Sequence, residues 1–226
     1  MIIDIESWAG ELAEKLLRSF GGRLRFLGYQ GSYGRGEATE ESDIDIVAIL
    51  DRVGPKDLDL YRSLVRAMPE GHKACGFICG QAELRCWPGF DLYGLLLDTK
   101  PVLGNLLALL PDMNPLDGRE ALGVQASNLY HMACHSYLYS PDPNAALREL
   151  GKPIFFCLRF FAMQRDGSYY ASKAELQEVL EGREKELLAL TMDRRLSGFS
   201  PEQTERAYQL ILSWSGDMLR KEGAAR

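Results

Sequence analysis

The spacing of hydrophobic residues predicts two kinds of element in the first half of the chain. Apolar side chains recur every three or four positions over residues 5–20 and 56–68, which is typical of helices with one buried face. A glycine-rich loop is predicted at residues 31–36. Short runs rich in Ile, Val and aromatic residues predict strands at residues 24–29, 44–50, 74–79 and 91–97. This order of elements predicts an α/β layer of about 100 residues.

From residue 101 onward the pattern changes to long stretches of helical periodicity. The helices predicted there cover residues 115–139, 143–164, 172–180 and 201–221. Asn114, Ser172 and Ser200 precede three of them as N-cap residues. Pro, Gly, Asn and Asp concentrate between residues 101 and 115, which favours a domain boundary there. We therefore predict an α/β domain at residues 1–110 and an all-α helical bundle at residues 111–226.

Two aspartates stand at the start of the second predicted strand. Asp43 and Asp45 are two positions apart, so an extended backbone turns both carboxylates to one face, while Ile44 and Ile46 turn to the other. Neighbouring carboxylates repel each other unless a cation lies between them. Mg²⁺ suits this position because it prefers carboxylate, water and phosphate oxygens. Asp43 and Asp45 are therefore predicted to be metal ligands and catalytic residues.

The glycine-rich loop before these aspartates is suited to bind phosphate. Gly31 allows backbone N–H groups to approach a phosphate closely, the Ser32 hydroxyl adds a donor, and Arg35 adds positive charge. The loop is neither a Walker A sequence nor a GxGxxG pattern. Taken singly, these are ordinary turn residues and strand-end charges. Their combination with the aspartate pair indicates phosphate and metal chemistry, with Gly31, Ser32 and Arg35 as nucleotide-binding residues.

With Gly31-Ser32, a spacer, and the pair Asp43 and Asp45 on the next strand, the sequence resembles the nucleotidyltransferase superfamily that includes DNA polymerase beta. Within it, the chain is similar to the minimal, aminoglycoside-type enzymes. A weaker similarity to the kanamycin-type members rests on Trp87-Pro88 and on Leu97-Asp98, which would end a later strand. The resemblance implies an α/β (α+β) nucleotidyltransferase fold, a mixed sheet with flanking helices, followed by the helical domain that shapes the acceptor site.

The same resemblance implies a reaction. ATP, or another NTP, would bind with its triphosphate on Gly31-Ser32 and with Mg²⁺ on Asp43 and Asp45. An acceptor hydroxyl would attack the α-phosphate in line, and pyrophosphate would leave. Catalysis of this type comes mainly from positioning and from charge stabilisation.

The chain departs from the superfamily at one point. Members usually carry a third carboxylate on the next strand, but residues 73–79 read KACGFIC and contain no acid. Glu83, Asp91 and Asp98 are the nearest candidates along the chain. Three possibilities stay open: a substitute acid from another element, a two-aspartate site that binds one metal well, or a member that has lost activity.

The helical half offers two weaker signals. Lys173, after Ser172 and near a helix start, resembles a lysine that reaches the nucleotide phosphates in adenylyltransferases of this type, although an exposed structural lysine is an equal alternative. His131 and His135 are four positions apart on one helix face. A histidine there would serve as the base for the acceptor hydroxyl, but packed or hydrogen-bonded histidines are the favoured alternative.

Composition limits the partners and the setting. A formal net charge of -6 argues against a broad nucleic-acid surface, which needs cations to neutralise phosphates. The longest apolar stretch, residues 95–110, is interrupted by charges, Pro and Gly, so we predict no membrane span and a cytoplasmic protein. The five cysteines are expected to be buried free thiols rather than disulfides or zinc ligands. The aromatic run at residues 154–161 predicts core packing or a homodimer face.

Together these features predict a Mg²⁺-dependent nucleotidyltransferase. It would transfer a nucleoside monophosphate, AMP from ATP, to a hydroxyl of a small-molecule acceptor and release pyrophosphate. Two alternatives remain: an adenylyltransferase of toxin-antitoxin type that modifies a protein or an RNA, and a non-catalytic nucleotide-binding protein, which the missing third acid suggests.

Overall fold

The computed structural model describes residues 2–192 and 198–224. Contacts within the chain divide it into two compact units, Met1–Met113 and Asn114–Arg226. No helix in the described part of the chain is long and apolar enough to cross a membrane.

Helices and strands are mixed in the first unit, as the sequence predicted. The elements are α1 (Ile5–Phe20), β1 (Leu24–Gln30), α2 (Gly31–Arg35), β2 (Ile44–Leu50), α3 (Pro55–Arg66), β3 (Ala74–Gly80), α4 (Gln81–Arg85), α5 (Gly89–Asp98) and β4 (Lys100–Leu103). Single turns of 3-10 helix lie at Gly21–Arg23, Gly71–Lys73 and Leu107–Leu109.

The four strands form one mixed sheet in the order β3-β2-β1-β4. β1 runs antiparallel to both β2 and β4, whereas β2 and β3 run parallel. Because β2 and β3 are parallel, their first residues lie side by side, and Ile44 pairs with Ala74. The antiparallel pairing of β1 brings its last residue, Gln30, to the same end of the sheet as the beginning of β2. The predicted mixed sheet with flanking helices is confirmed.

The predicted strand at residues 91–97 is wrong. These residues belong to helix α5, and the fourth strand is β4. Leu92, Leu95 and Leu96 pack on the same cluster, a spacing of three and four that belongs to a helix. A short apolar run of this kind does not distinguish a strand from a buried helix by its periodicity. Asp98 therefore ends a helix, and the strand on which the kanamycin-type similarity partly rested is absent from this position.

The sheet separates two hydrophobic clusters, and β2 contributes to both. Ile44, Ile46, Ala48 and Leu50 pack with α1 in one cluster. Val47 and Ile49 lie in the other, with residues of α4 and α5. Side chains alternate along a strand, so Asp45 shares the second face with Val47 and Ile49. This confirms that Ile44 and Ile46 face away from Asp45.

Gly76 in β3 is required by a close approach of two backbones. Its φ is +126°, and a Cβ at this position would overlap the carbonyl oxygen of Ile46, its partner in β2. A side chain therefore adds backbone strain and a clash with the central strand.

Replacing Gly76 with alanine is expected to reduce the free energy of unfolding by about 3 kcal/mol, the order of one strained backbone position plus an overpacked contact. Chemical denaturation measures this loss. Gly10→Ala is the matched control, because a Cβ on this residue of α1 meets nothing within 4 Å. That variant should be as stable as the parent or more stable by up to about 1 kcal/mol. Equal effects of the two substitutions would contradict this account.

Arg23 holds together the end of the sheet at which β1 begins and β2 ends. Its guanidinium donates to Asp51 Oδ1 at 2.9 Å and to both carboxylate oxygens of Asp57, at 2.7 and 3.0 Å. Asp57 also accepts from the backbone N–H of Gly54, where α3 begins. The hydrogen bonds from Arg23 lower the pKa of Asp57 to about 2. One cation thus joins the start of β1, the end of β2 and the first turn of α3.

The ion pair at Asp57 should be lost in acid. The folded state holds the pKa of Asp57 below the ordinary value of 3.8, so the contribution is complete above about pH 4 and disappears as the pH falls through 2. We expect Asp57→Asn to lower the midpoint of thermal unfolding near neutral pH and to have little effect near pH 2. Asp59→Asn, at an exposed pair with Arg62, is the control and should have a small effect throughout. A pH-independent effect of Asp57→Asn would contradict the assignment.

The second unit is helical throughout its regular elements, as predicted. The helices are α6 (Pro115–Tyr139), α7 (Pro143–Asp166), α8 (Lys173–Val179), α9 (Gly182–Met192) and α10 (Pro201–Ala224). Ser172 is the N-cap of α8 and accepts from the backbone N–H of Glu175. Most of the aromatic run 154–161 is buried in α7, which confirms its role in the core. Arg159, 1% exposed, contacts the ring of Tyr169 and donates to the carbonyl of Tyr170, and so fixes the turn after α7.

Candidate active site

Three polar residues form a row across three neighbouring strands. The pairing registers place Gln30 of β1 opposite Asp45 of β2, and Asp45 opposite Cys75 of β3. Cys75 shares the sheet face of Phe77 and Cys79, which is the face of Asp45. The sheet itself therefore positions Asp45 between a side-chain amide and a thiol.

The Asp45 carboxylate lies against Gly31 on one side and against Cys75 on the other. A Cβ on Gly31 would overlap its Oδ2 atom, and Gly31 has a φ of +71°. On the other side, the Cys75 thiol donates to Asp45 Oδ1 over 3.4 Å. A glycine is needed at position 31 because the carboxylate occupies the space of a side chain and because the backbone is left-handed.

The segment predicted as a glycine-rich loop is a short helix. Residues Gly31–Arg35 form α2, which ends at Gly36 with a φ of 71°. The backbone N–H groups of a first helical turn have no partner inside the helix. Gly31 and Ser32, the predicted nucleotide-binding residues, are in this turn. The predicted loop is therefore a helical turn, and its first residue, Gly31, lies beside Asp45.

Asp43 lies one residue before β2 and is exposed, whereas Asp45 is half-buried. The segment that leads to Asp43 is held by a turn in which the Ser42 hydroxyl accepts from the backbone N–H of Thr39 at 2.9 Å. Lys73 also fixes it, because its Nζ donates to the carbonyl of Glu40 at 2.8 Å. A hydrogen bond with Glu70 raises the pKa of Lys73. The aspartate pair therefore follows a structured segment.

Arg35 is engaged with its own loop. Its Nε donates to Glu37 Oε2 at 3.0 Å, and only 14% of its side chain is exposed. This ion pair closes the turn that follows α2. To bind a phosphate, as the sequence predicted, the guanidinium would share its charge between the phosphate and Glu37.

The candidates for a third carboxylate lie in different places. Glu83 follows β3 and turns back on Gly80, which lies about 16 Å along the strand from the level of Asp45 and Cys75. Asp91 is exposed in α5. Asp98 ends α5, and its carbonyl oxygen lies 3.6 Å from the Cβ position of Gly34 in α2. Glu83 is thus too far from Asp45 to complete the site, and Asp98 approaches it from the side of β1.

The donor set agrees with one hard cation. Asp43 and Asp45 supply carboxylate oxygens, and Mg²⁺ commonly binds through one or two carboxylates plus water and substrate phosphates. Within residues 2–192 and 198–224 there is no group of three or more His, Cys, Asp or Glu side chains that could hold a metal ion. The two aspartates would therefore bind Mg²⁺ together with the nucleotide.

Lys173 and the two histidines belong to the second unit. Lys173 is the first residue of α8, is half-buried, and donates from Nζ to the carbonyl of Thr191 at 2.9 Å. His131 and His135 are exposed on α6 with ring centroids 6.1 Å apart, and Tyr139 continues the row at 5.1 Å from His135. Both rings are therefore exposed to solvent and contact neighbouring rings on the same helix face.

The cysteines are free but not uniformly buried. Cys79 and Cys157 are buried, Cys134 is intermediate, and Cys75 and Cys86 are exposed. Burial raises the pKa of the Cys157 thiol. The sequence reasoning missed the contact between Cys75 and Asp45. Neither segment shows this contact by itself, because it depends on the parallel register that pairs Ile44 with Ala74 and Asp45 with Cys75.

Gly31→Ala should destabilise the protein more than Gly36→Ala does, because both glycines have a φ of +71° but only Gly31 faces a side chain. We expect about 1 kcal/mol for the backbone strain at Gly36 and about 2 kcal/mol more at Gly31 for displacement of Asp45. Denaturation curves of both variants measure the difference. In an Asp45→Ala background the extra cost at Gly31 should shrink. Equal costs at both glycines would contradict the proposed contact.

Comparison with known proteins agrees with this geometry. Residues 11–84 match the family model described as a nucleotidyltransferase domain. No curated protein sequence matches the chain. Among solved structures, the spectinomycin adenyltransferase AAD(9) from Enterococcus faecialis, determined with ATP and spectinomycin, is similar in fold, with a TM-score of 0.57. The match has 17% sequence identity and covers 93% of this chain and 97% of that chain.

The matched family region contains α2, Asp43, Asp45 and Cys75, so it includes the whole row of residues described above. The predicted enzyme class, a nucleotidyltransferase, is thereby confirmed. Residues 11–84 thus match the nucleotidyltransferase domain that the Gly-Ser and Asp-x-Asp motifs predicted, and the fold is similar to that of a spectinomycin adenyltransferase.

Proposed function

We propose that the chain transfers AMP from ATP to a hydroxyl group of a small-molecule acceptor and releases pyrophosphate. The observation that carries this proposal is the contact between the first turn of α2 and the Asp45 carboxylate. It joins a row of backbone donors for phosphate to a ligand for the cation that accompanies a triphosphate.

Charge explains why both parts are needed. The Asp45 carboxylate beside Gly31 repels a bare triphosphate bound to α2. Bound Mg²⁺ would neutralise both groups and stabilise the charge that develops on the phosphate oxygens. Asp43 and Asp45 would hold that cation, and the N–H groups of Gly31 and Ser32 would orient the phosphates. The positioned acceptor hydroxyl would attack the α-phosphate in line, pyrophosphate would leave, and the hydroxyl proton would pass to solvent or to the leaving pyrophosphate.

ATP is the proposed donor because the similar adenyltransferase was determined with ATP, and a small hydroxylated molecule is the proposed acceptor because it was determined with spectinomycin. For Lys173 to contact a phosphate, as proposed from the sequence, its Nζ would exchange the carbonyl of Thr191 for a phosphate oxygen. His131 and His135 are proposed contacts for the acceptor, since both rings are exposed.

A non-catalytic nucleotide-binding protein is the second candidate. It is favoured by one observation, the cysteine that stands in β3 beside Asp45 where an acid is expected. Such a protein would bind nucleotide with Mg²⁺ but would release no pyrophosphate with any acceptor.

Asp43→Asn and Asp45→Asn should each reduce transfer by about 100-fold or more, the effect of removing one group that stabilises charge in the transition state. Transfer is measured as label moved from ATP labelled at its α-phosphate to a panel of small hydroxylated acceptors that includes spectinomycin, together with pyrophosphate release. Asp59→Asn removes an exposed aspartate of α3 and is the matched control, with unchanged turnover.

Three outcomes separate the alternatives. Label on macromolecules of an added cell lysate, with none on small molecules, would favour an enzyme of toxin-antitoxin type. Nucleotide binding without pyrophosphate release would favour the non-catalytic protein. Unchanged transfer in both aspartate variants, with folding intact, would overturn the proposed site.

A further inference from the structure

Cys75 occupies the position beside Asp45 at which a third carboxylate would join Asp43 and Asp45 in binding metal. It pairs in register with Asp45 across the parallel strands, and its sulfur lies 3.4 Å from Asp45 Oδ1. The two oxygens of this carboxylate therefore meet different surroundings. Oδ2 faces Gly31 and the first turn of α2, whereas Oδ1 faces the thiol.

A second divalent cation would have to bind on the Oδ1 side. Two-metal sites hold their ions roughly 3.5–4 Å apart, so a carboxylate shared between them needs a further hard ligand beyond it. Here that place holds sulfur, a soft donor that Mg²⁺ and Mn²⁺ do not favour over oxygen. The described residues also provide no group of three acidic, His or Cys side chains around a common point.

We infer that the site takes a single hard divalent cation with its nucleotide, because Cys75 stands where a carboxylate would be needed to hold a second cation. This inference rests on the proposed function, because it uses Asp43 and Asp45 as the metal ligands. It assigns to Cys75 the role of a specificity-determining residue that sets how many cations bind.

The number of bound cations is measured directly, without turnover. Mn²⁺ is the probe, because it prefers the same oxygen ligands as Mg²⁺ and is visible by electron paramagnetic resonance. Equilibrium dialysis with an ATP analogue that carries a methylene bridge between its α- and β-phosphates gives the Mn²⁺ retained per bound nucleotide. We expect one Mn²⁺ in the unaltered protein and two in Cys75→Asp, whose carboxylate would stand beside Asp45 on the same face.

Three variants make the measurement specific. Cys75→Ser removes the sulfur without adding a carboxylate and should stay at one Mn²⁺. Glu83→Gln, in α4 beyond the far end of β3, should also stay at one. Asp98→Asn tests whether the acid at the end of α5 supplies a ligand, and it too should leave one Mn²⁺ bound. A loss of Mn²⁺ in Asp98→Asn would overturn the assignment of the cation to the aspartate pair alone.

Different Mn²⁺ results would overturn the single-cation inference and the proposed function. Two Mn²⁺ ions per nucleotide in the unaltered protein, or one in a folded Cys75→Asp, would overturn the inference and leave the nucleotide site intact. No Mn²⁺ beyond that carried by free nucleotide, or binding unchanged in Asp45→Asn, would overturn the proposed function as well. If Cys75→Asp does not fold, the stoichiometry of the unaltered protein alone decides the question.

Discussion

The position of the Asp45 carboxylate is the constraint on which the rest of the site depends. It fills the space where a side chain on Gly31 would lie and accepts a hydrogen bond from Cys75. This requires a glycine with positive φ at the start of α2, an antiparallel β1 that ends beside Asp45, and a parallel β3 that begins beside it. The placement of one charged group thus depends on the directions of three strands and on one residue type.

The strand directions also explain why the proposed ligand site lies at the start of β2 and β3. In sheets of parallel strands, ligands bind beyond the carboxyl ends. Here β1 runs the other way, so its carboxyl end and the first turn of α2 reach the same edge as the first residues of β2. The site is therefore at the carboxyl end of β1, and β2 contributes its acids because they precede its buried run.

Much of this arrangement was predictable from local patterns, and the rest depended on contacts between distant residues. The helix at residues 5–20, the strands of Ile44 and Ala74, and the opposite facing of Ile44 and Asp45 follow from periodicity alone. Periodicity predicts a strand over residues 91–97 because the apolar run is short, whereas the packing of Leu92 and Leu96 on one cluster shows a helix. The helical form of residues 31–35 and the contact of Cys75 with Asp45 depend on strand register, which neither segment encodes by itself.

Ion pairs that stabilise the fold lie at one end of the sheet, and the residues of the proposed site lie at the other. At one end Arg23 joins β1, β2 and α3 through paired, hydrogen-bonded charges, and these neutralise one another within the protein. At the other end Asp43 and Asp45 are followed by apolar residues, and Asp45 lies between Gln30 and Cys75, neither of which is cationic. Part of the net charge of -6 thus lies at this edge. Under the proposed function, this edge would attract a cation from solution. A polyphosphate that arrives with its own cation would then bind there, because the charge that would repel it would already be compensated.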